Sequence, residues 1–239
     1  MQRISFFLFL LSFTLACEKA ANQTADSGQQ TTEEVKAYLA DTNTDTLEVA
    51  TFSGGHFYGL EAIYEQLRGT QIVLAGYTGG KSKGPNFERV NSGDSKHRMA
   101  VQVYFNPKKI SYQMLLAVYF AAHDPTKKEQ QGIEMGPQFI PAVYVHDEEQ
   151  KKMAEEELTK QKKKSKYKGK TLYTEITPYT NFWVAESSHQ DFAHNNTQDD
   201  YVQNVLKPYI RGVEKKYGAW MLKGRAVFPI KQDAPTPNN

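Results

Sequence analysis

The stretch Val49–Leu67, VATFSGGHFYGLEAIYEQL, constrains the fold of this chain more than any other. It begins as a β-branched and aromatic run of the kind that forms strands, breaks at the pair Gly54-Gly55, and resumes with apolar residues at helical spacing. A strand turning directly into an amphipathic helix calls for helices laid against a sheet. The turn also puts His56 in the first turn of the helix. There the positive end of the helix dipole disfavours an imidazolium and favours the neutral ring.

The same alternation continues downstream. Residues 47–53, 71–78, 100–105, 139–146 and 171–177 have strand composition, and 57–67, 112–122 and 148–161 have helical periodicity. Ser111 is a good N-cap for the second helix, whose nearly continuous apolar run MLLAVYFAA predicts burial against the sheet. A last helix is expected over 198–216, interrupted at Pro208. The fold class is therefore α/β or α+β: a two-layer sandwich, a mixed β-sheet with flanking helices. With 239 residues and 39% apolar content, the chain suits one globular domain plus appendages. A net charge of +2 and the absence of a basic motif with interleaved aromatics give no indication of a nucleic-acid partner.

The first 17 residues have the form of an export signal: Arg3 supplies the positive start, Ile4 to Ala16 the apolar run, and Cys17 follows a small residue. That run is shorter than the ~20 residues a spanning helix needs. Cys17 resembles the acylated residue of a bacterial lipoprotein, although Thr14 stands where leucine is usual. Lipidation at the cell envelope is the leading expectation, with plain secretion or a retained segment as alternatives. Residues 18–46, rich in Gln, Thr, Ser and acids, fit a flexible tether, 47–217 the domain, and 218–239 a C-terminal tail. Cys17 is the only cysteine, so the domain itself has no thiol.

Two long polar loops, GYTGGKSKGPNFERVNSGD and HDPTKKEQQGIEMGPQFIP, are candidates to carry a site. Residues 151–170 hold nine lysines against three glutamates, which fits a solvated surface or a contact with an anionic one. His97 and His123 suit structural roles, and His146 and His194 suit the surface. No nucleophile elbow or phosphate loop is present.

Several motifs resemble, in order and spacing, the A-type peptide-methionine (S)-S-oxide reductases: ATFSGGHFYGLEA, GYTGG, VNSGDSKHRMAVQVYFNPKKISYQMLLAVYFAAHDPT, EITPYTNFWVAESSHQDF and VLKPYIRGVEKKY. The likeness spans residues 47–217 and implies the fold of that family and reduction of methionine sulfoxide to methionine. The family's nucleophile is the cysteine of a Gly-Cys-Phe-Trp-Gly motif, and here His56 holds its place. Met99 stands where the resemblance expects the proton-donating glutamate, and Phe87 and Phe139 stand where it expects two tyrosines. Glu134 keeps a carboxylate in place of the family's aspartate, Phe57 and Tyr58 match its Phe-Trp pair, and His189 falls in its His-Gln-Asp motif.

The expectation is thus a non-catalytic descendant in which Phe57, Tyr58, Phe87, Phe139 and His189 form a cleft for a methionine-containing or apolar peptide segment. The alternatives are changed chemistry with His56 as general base or nucleophile assisted by Glu134 and His189, a metal held by His56, Glu134 and His189, residual reduction by another route, or a purely structural descendant. No cofactor is implied.

Overall fold

Alternation along the strands sets the architecture. The computed structural model describes residues 46–222 together with Leu39, so the export segment, Cys17 and most of the tether lie outside the described residues. In β1 (Glu48–Ser53) Ala50 and Phe52 join the core, in β2 (Thr70–Thr78) Ala75 and Tyr77, and in β3 (Arg98–Phe105) Met99, Val101, Val103 and Phe105. Successive side chains of a strand point to opposite faces, so these residues make one apolar face that takes the helices.

α1 (Phe57–Glu65) leaves β1 across Gly54-Gly55, α2 (Phe87–Asn91) precedes β3, and α3 (Tyr112–Ala122) follows it. Next come the short hairpin β4 (Gln130–Gln131) and β5 (Glu134–Met135), then β6 (Ala142–Val145) and α4 (Glu148–Lys162). β7 (Glu175–Pro178), β8 (Trp183–Val184), α5 (Phe192–Asn195) and α6 (Lys207–Tyr217) complete the order. The main sheet runs β7-β6-β1-β3-β2-β8. It is mixed: β6 and β7 are parallel and the other pairs antiparallel.

Phe52 sits at the centre, opposite Val101 on one side and Val143 on the other. Its ring stacks on Tyr64 of α1 at 5.3 Å and on Tyr119 of α3 at 5.0 Å, which pins both helices over β1. Tyr119 also donates its hydroxyl to the Ser53 carbonyl at 2.6 Å, fixing the end of β1 just before the glycine turn. This is the mixed sheet with flanking helices that the sequence predicts.

Three expected elements differ. The strand expected over 139–146 is confined to Ala142–Val145, because Pro141 cannot donate to a ladder and Pro137 opens a 3-10 turn, Pro137–Phe139. The strand expected over 171–177 pairs only at Glu175–Pro178. The last helix is not broken at Pro208: a π turn, Val202–Leu206, runs straight into α6, and the Lys207 N–H reaches back to the Val202 carbonyl. The wider turn accommodates the proline's missing donor. Past Tyr217 the chain makes a 3-10 turn, Gly218–Trp220, and Met221 bridges to Leu67.

Candidate functional site

The site is built at the junction of β1 and α1. Gly55 takes φ +91°, a conformation that side-chain-bearing residues rarely adopt, and its N–H donates to the Phe139 carbonyl at 3.3 Å. The chain re-enters extended geometry at His56, the N-cap of α1, whose Nδ1 accepts a long hydrogen bond from the Tyr58 N–H at 3.5 Å. A neutral imidazole has one acceptor nitrogen and one donor nitrogen. With Nδ1 accepting, Nε2 carries the hydrogen.

Aromatic rings surround that imidazole. Tyr58 lies 4.0 Å from it by ring centroids, Phe57 4.9 Å, Phe87 and Tyr201 6.0 Å, and Phe139 6.2 Å. Burial among them, with a smaller contribution from His189, pushes the His56 pKa down to about 3. The ring is therefore neutral across the physiological range.

The residues expected to line an open cleft are packed instead against His56 and one another. Phe57 is wholly buried and Phe139 is 2% exposed. His189 stacks on Phe87 at 4.1 Å, and its Nδ1 meets the Tyr58 hydroxyl at 2.5 Å. Phe87 is held by Glu186, which accepts from the Phe87 N–H at 2.9 Å and the Tyr77 hydroxyl at 2.8 Å. Gln190 of the His-Gln-Asp motif bonds both backbone groups of Ala75 and the Ala185 carbonyl, tying this segment to β2.

Open space lies elsewhere around His56. A cavity of about 460 Å³ has the Gly54-Gly55 backbone, Ala122, Ile133 and Leu206 in its wall, and His56, His123, Asp124, Gln131, Glu134, Tyr201 and Asn204 among its polar points. None of Phe57, Tyr58, Phe87, Phe139 or His189 borders it. Of the residues expected from sequence, His56 and Glu134 meet there. Glu134, on the β4–β5 hairpin, accepts a hydrogen bond from the Tyr201 hydroxyl at 2.6 Å. Burial and this carboxylate raise the Tyr201 pKa, so the phenol stays protonated.

His123 has both nitrogens engaged, Nδ1 with the Tyr119 carbonyl at 2.7 Å and Nε2 with the Thr174 hydroxyl at 2.8 Å. Burial lowers its pKa to about 4. It is structural, as expected, yet it also borders the cavity. His146, expected at the surface, is half-buried and bonds Thr51 at 2.9 Å.

The alternative ligand set of His56, Glu134 and His189 is not assembled. Among the described residues no three His, Cys, Asp or Glu side chains are grouped to hold a metal ion. Glu134 is engaged by Tyr201 and His189 by Tyr58.

Sequence reasoning missed Tyr201, Gln131 and Tyr209 as cavity residues. One signal was available for Tyr209: Gly59 lies inside α1, where glycine is unfavourable unless something approaches closely. A Cβ at Gly59 would stand 2.5 Å from the Tyr209 ring.

Residues 48–220 match the family model for peptide methionine sulfoxide reductase. The chain is 39% identical over 171 residues to peptide methionine sulfoxide reductase MsrA 1 of Rhodopirellula baltica, covering 72% of this chain and 88% of that one. It is 38% identical over 170 residues to the MsrA of Thermus thermophilus, covering 71% and 95%. Among solved structures it resembles reduced Mxr1 from Saccharomyces cerevisiae, with a TM-score of 0.58 and 27% identity over 64% of this chain and 88% of that one. Methionine sulfoxide reductase A of Corynebacterium diphtheriae shares the fold, with a TM-score of 0.59 and 23% identity over 65% of this chain and 77% of that one.

Proposed function

This chain belongs to the peptide methionine sulfoxide reductase family, and we propose that it is a descendant that binds a methionine-bearing or apolar peptide segment without reducing it. The observation that carries this reading is the imidazole of His56 in the place where the family resemblance expects a thiolate. Sulfoxide reduction by a thiol needs the sulfur to take the oxygen as a sulfenic acid while the sulfide departs, and two further thiol electrons to restore it. Imidazole has no such recyclable oxidised form. Cys17 is the only cysteine of the chain, and the apolar run before it places it in an export signal rather than the site.

The remaining chemistry points the same way. Met99, fully buried, offers no proton where the resemblance expects an acid, and Phe87 and Phe139 offer no hydroxyls. With Nδ1 capping α1, the other nitrogen of His56 is a donor, which disfavours its use as a base, nucleophile or metal ligand. The cavity beside it, apolar with a few polar points, has the character of a binding site. The apolar N-terminal run ending at Cys17 supports display of this domain at a bacterial cell envelope as a lipoprotein.

The deciding assay is NADPH-coupled reduction of methionine sulfoxide with thioredoxin and thioredoxin reductase, run on the wild type, His56→Ala and His56→Cys. No turnover by any of the three is expected. Titration calorimetry with a methionine-containing peptide should show saturable binding. Turnover by the wild type that disappears in His56→Ala would overturn the proposal.

A further inference from the structure

The lysine-rich segment is not spread evenly over the molecule. Residues 160–170 contain seven lysines and no acidic residue, and every one of those lysines is exposed. Among the described residues only Lys160 of these seven forms an ion pair, with Glu157 at 3.5 Å. α6 adds Lys215 and Lys216 at its end, also exposed. Partial burial, followed by the charges of Lys216 and Lys166 and opposed by Glu157, draws the Lys164 ammonium below lysine's ordinary range. Lys166 in turn lies close enough to His123 to act on its imidazole. The cations thus form a track running from Lys216 through Lys164 to Lys166.

That track ends beside the cavity, at a neighbouring cleft. A second cleft, of about 280 Å³, is lined by Lys166, Lys170, Tyr167 and Thr126 together with His123 and Asp124. His123 and Asp124 also line the cavity beside His56, so the two spaces share a wall. Asp124, whose carboxylate accepts from the N–H and hydroxyl of Thr126 at 2.9 and 2.7 Å, is the one acidic side chain in that lining, against the two lysines Lys166 and Lys170. An extended peptide advances ~3.3 Å per residue, so side chains a few positions from one seated in the cavity would reach the second cleft.

We propose that the segment recognised by this site carries acidic residues beside its methionine, with the carboxylates seated among Lys166, Lys170 and the track beyond them. The inference rests on the binding function proposed above and adds the charge of the partner. A flat anionic surface would also attract lysines, but it would not explain why the track opens onto a cleft that shares a wall with the cavity. Charge of this kind steers association and selects among partners more than it adds affinity.

The test uses the full chain and fluorescence anisotropy with three labelled peptides. The first has a central methionine flanked by glutamates, the second the same methionine flanked by glutamines, and the third the glutamates around a glycine. At about 0.05 M salt the first should bind about tenfold more tightly than the second, and the preference should collapse at about 0.5 M salt. It should also collapse in the double variant Lys166→Gln, Lys170→Gln. Equal affinity for the first two peptides would overturn this inference and leave the binding function standing. Equal affinity for the first and third would overturn the binding function on which it rests. Capture by phosphatidylglycerol-containing vesicles without any peptide preference would overturn it in favour of a membrane contact.

Discussion

At residue 56 the energetics of burial and of helix capping act together. The neutral imidazole supplies the acceptor that the first turn of α1 needs, and five aromatic rings make the charged form unfavourable. Three residues past the Tyr58 amide that it caps, Glu61 is 1% exposed, and burial pushes its pKa up to about 8 against the pull of backbone amides at Asp191 and Phe192. The two groups tilt stability in opposite directions with pH. His56 titrates at about 3 when folded against 6.5 in the reference state, so its contribution is complete above pH 6.5 and is lost as pH falls toward 3. Glu61 holds its proton to about 8 when folded against 4.5 in the reference state, so stability is greatest below 4.5 and is lost as pH rises through 8. Urea midpoints of Glu61→Gln across pH 5 to 9 should therefore fall less steeply than those of the wild type. A profile parallel to the wild type's would mean that Glu61 ionises in the native state without penalty.

At the scale of elements, the site depends on how α1 meets α6. Gly59 lets the Tyr209 ring lie against the helix backbone, and Tyr209, Leu206 and Tyr201 on that side of the molecule complete the cavity wall. Gly59→Ala would gain ~1 kcal/mol of helix propensity but would place a methyl 2.5 Å from the ring. Overpacking of this kind costs ~1–3 kcal/mol, so the net expectation is a lower urea midpoint together with a changed cavity. An unchanged midpoint would show that Tyr209 swings aside freely. The π turn Val202–Leu206 belongs to the same assembly, since it carries Leu206 to the cavity while bringing the chain past Pro208 in helical form. The short β4–β5 hairpin does the corresponding work opposite, presenting Glu134 to Tyr201.

Across the whole molecule, Phe52 ties the layers together, with Tyr64 and Tyr119 stacked on it from two helices and β3 and β6 paired on either side. Phe52→Ala should cost ~3–5 kcal/mol in denaturant unfolding, because a ring removed from a close-packed centre leaves a void. A loss nearer 1 kcal/mol would mean that the helices close over the gap. Much of this architecture was legible in the sequence. Period-two and helical apolar patterns marked β1, β2, β3, α1 and α4, and the bounds of α3 follow from Ser111 and its apolar run. Patterns failed where hydrogen bonding overrode them: prolines at 137 and 141 shortened a strand, and the π turn preserved a helix that Pro208 was expected to break. The identity of residue 56, the lack of a second cysteine and the acid-free lysine run are fixed by the order of amino acids alone, since each is a matter of which groups exist. Where those groups face was decided only by tertiary packing. Long-range contacts closed Phe87, Phe139 and Tyr201 around His56, opened the cavity beside Glu134 and Tyr201, and brought Lys166 to the far side of His123, because pairings across the chain have no signature in local periodicity.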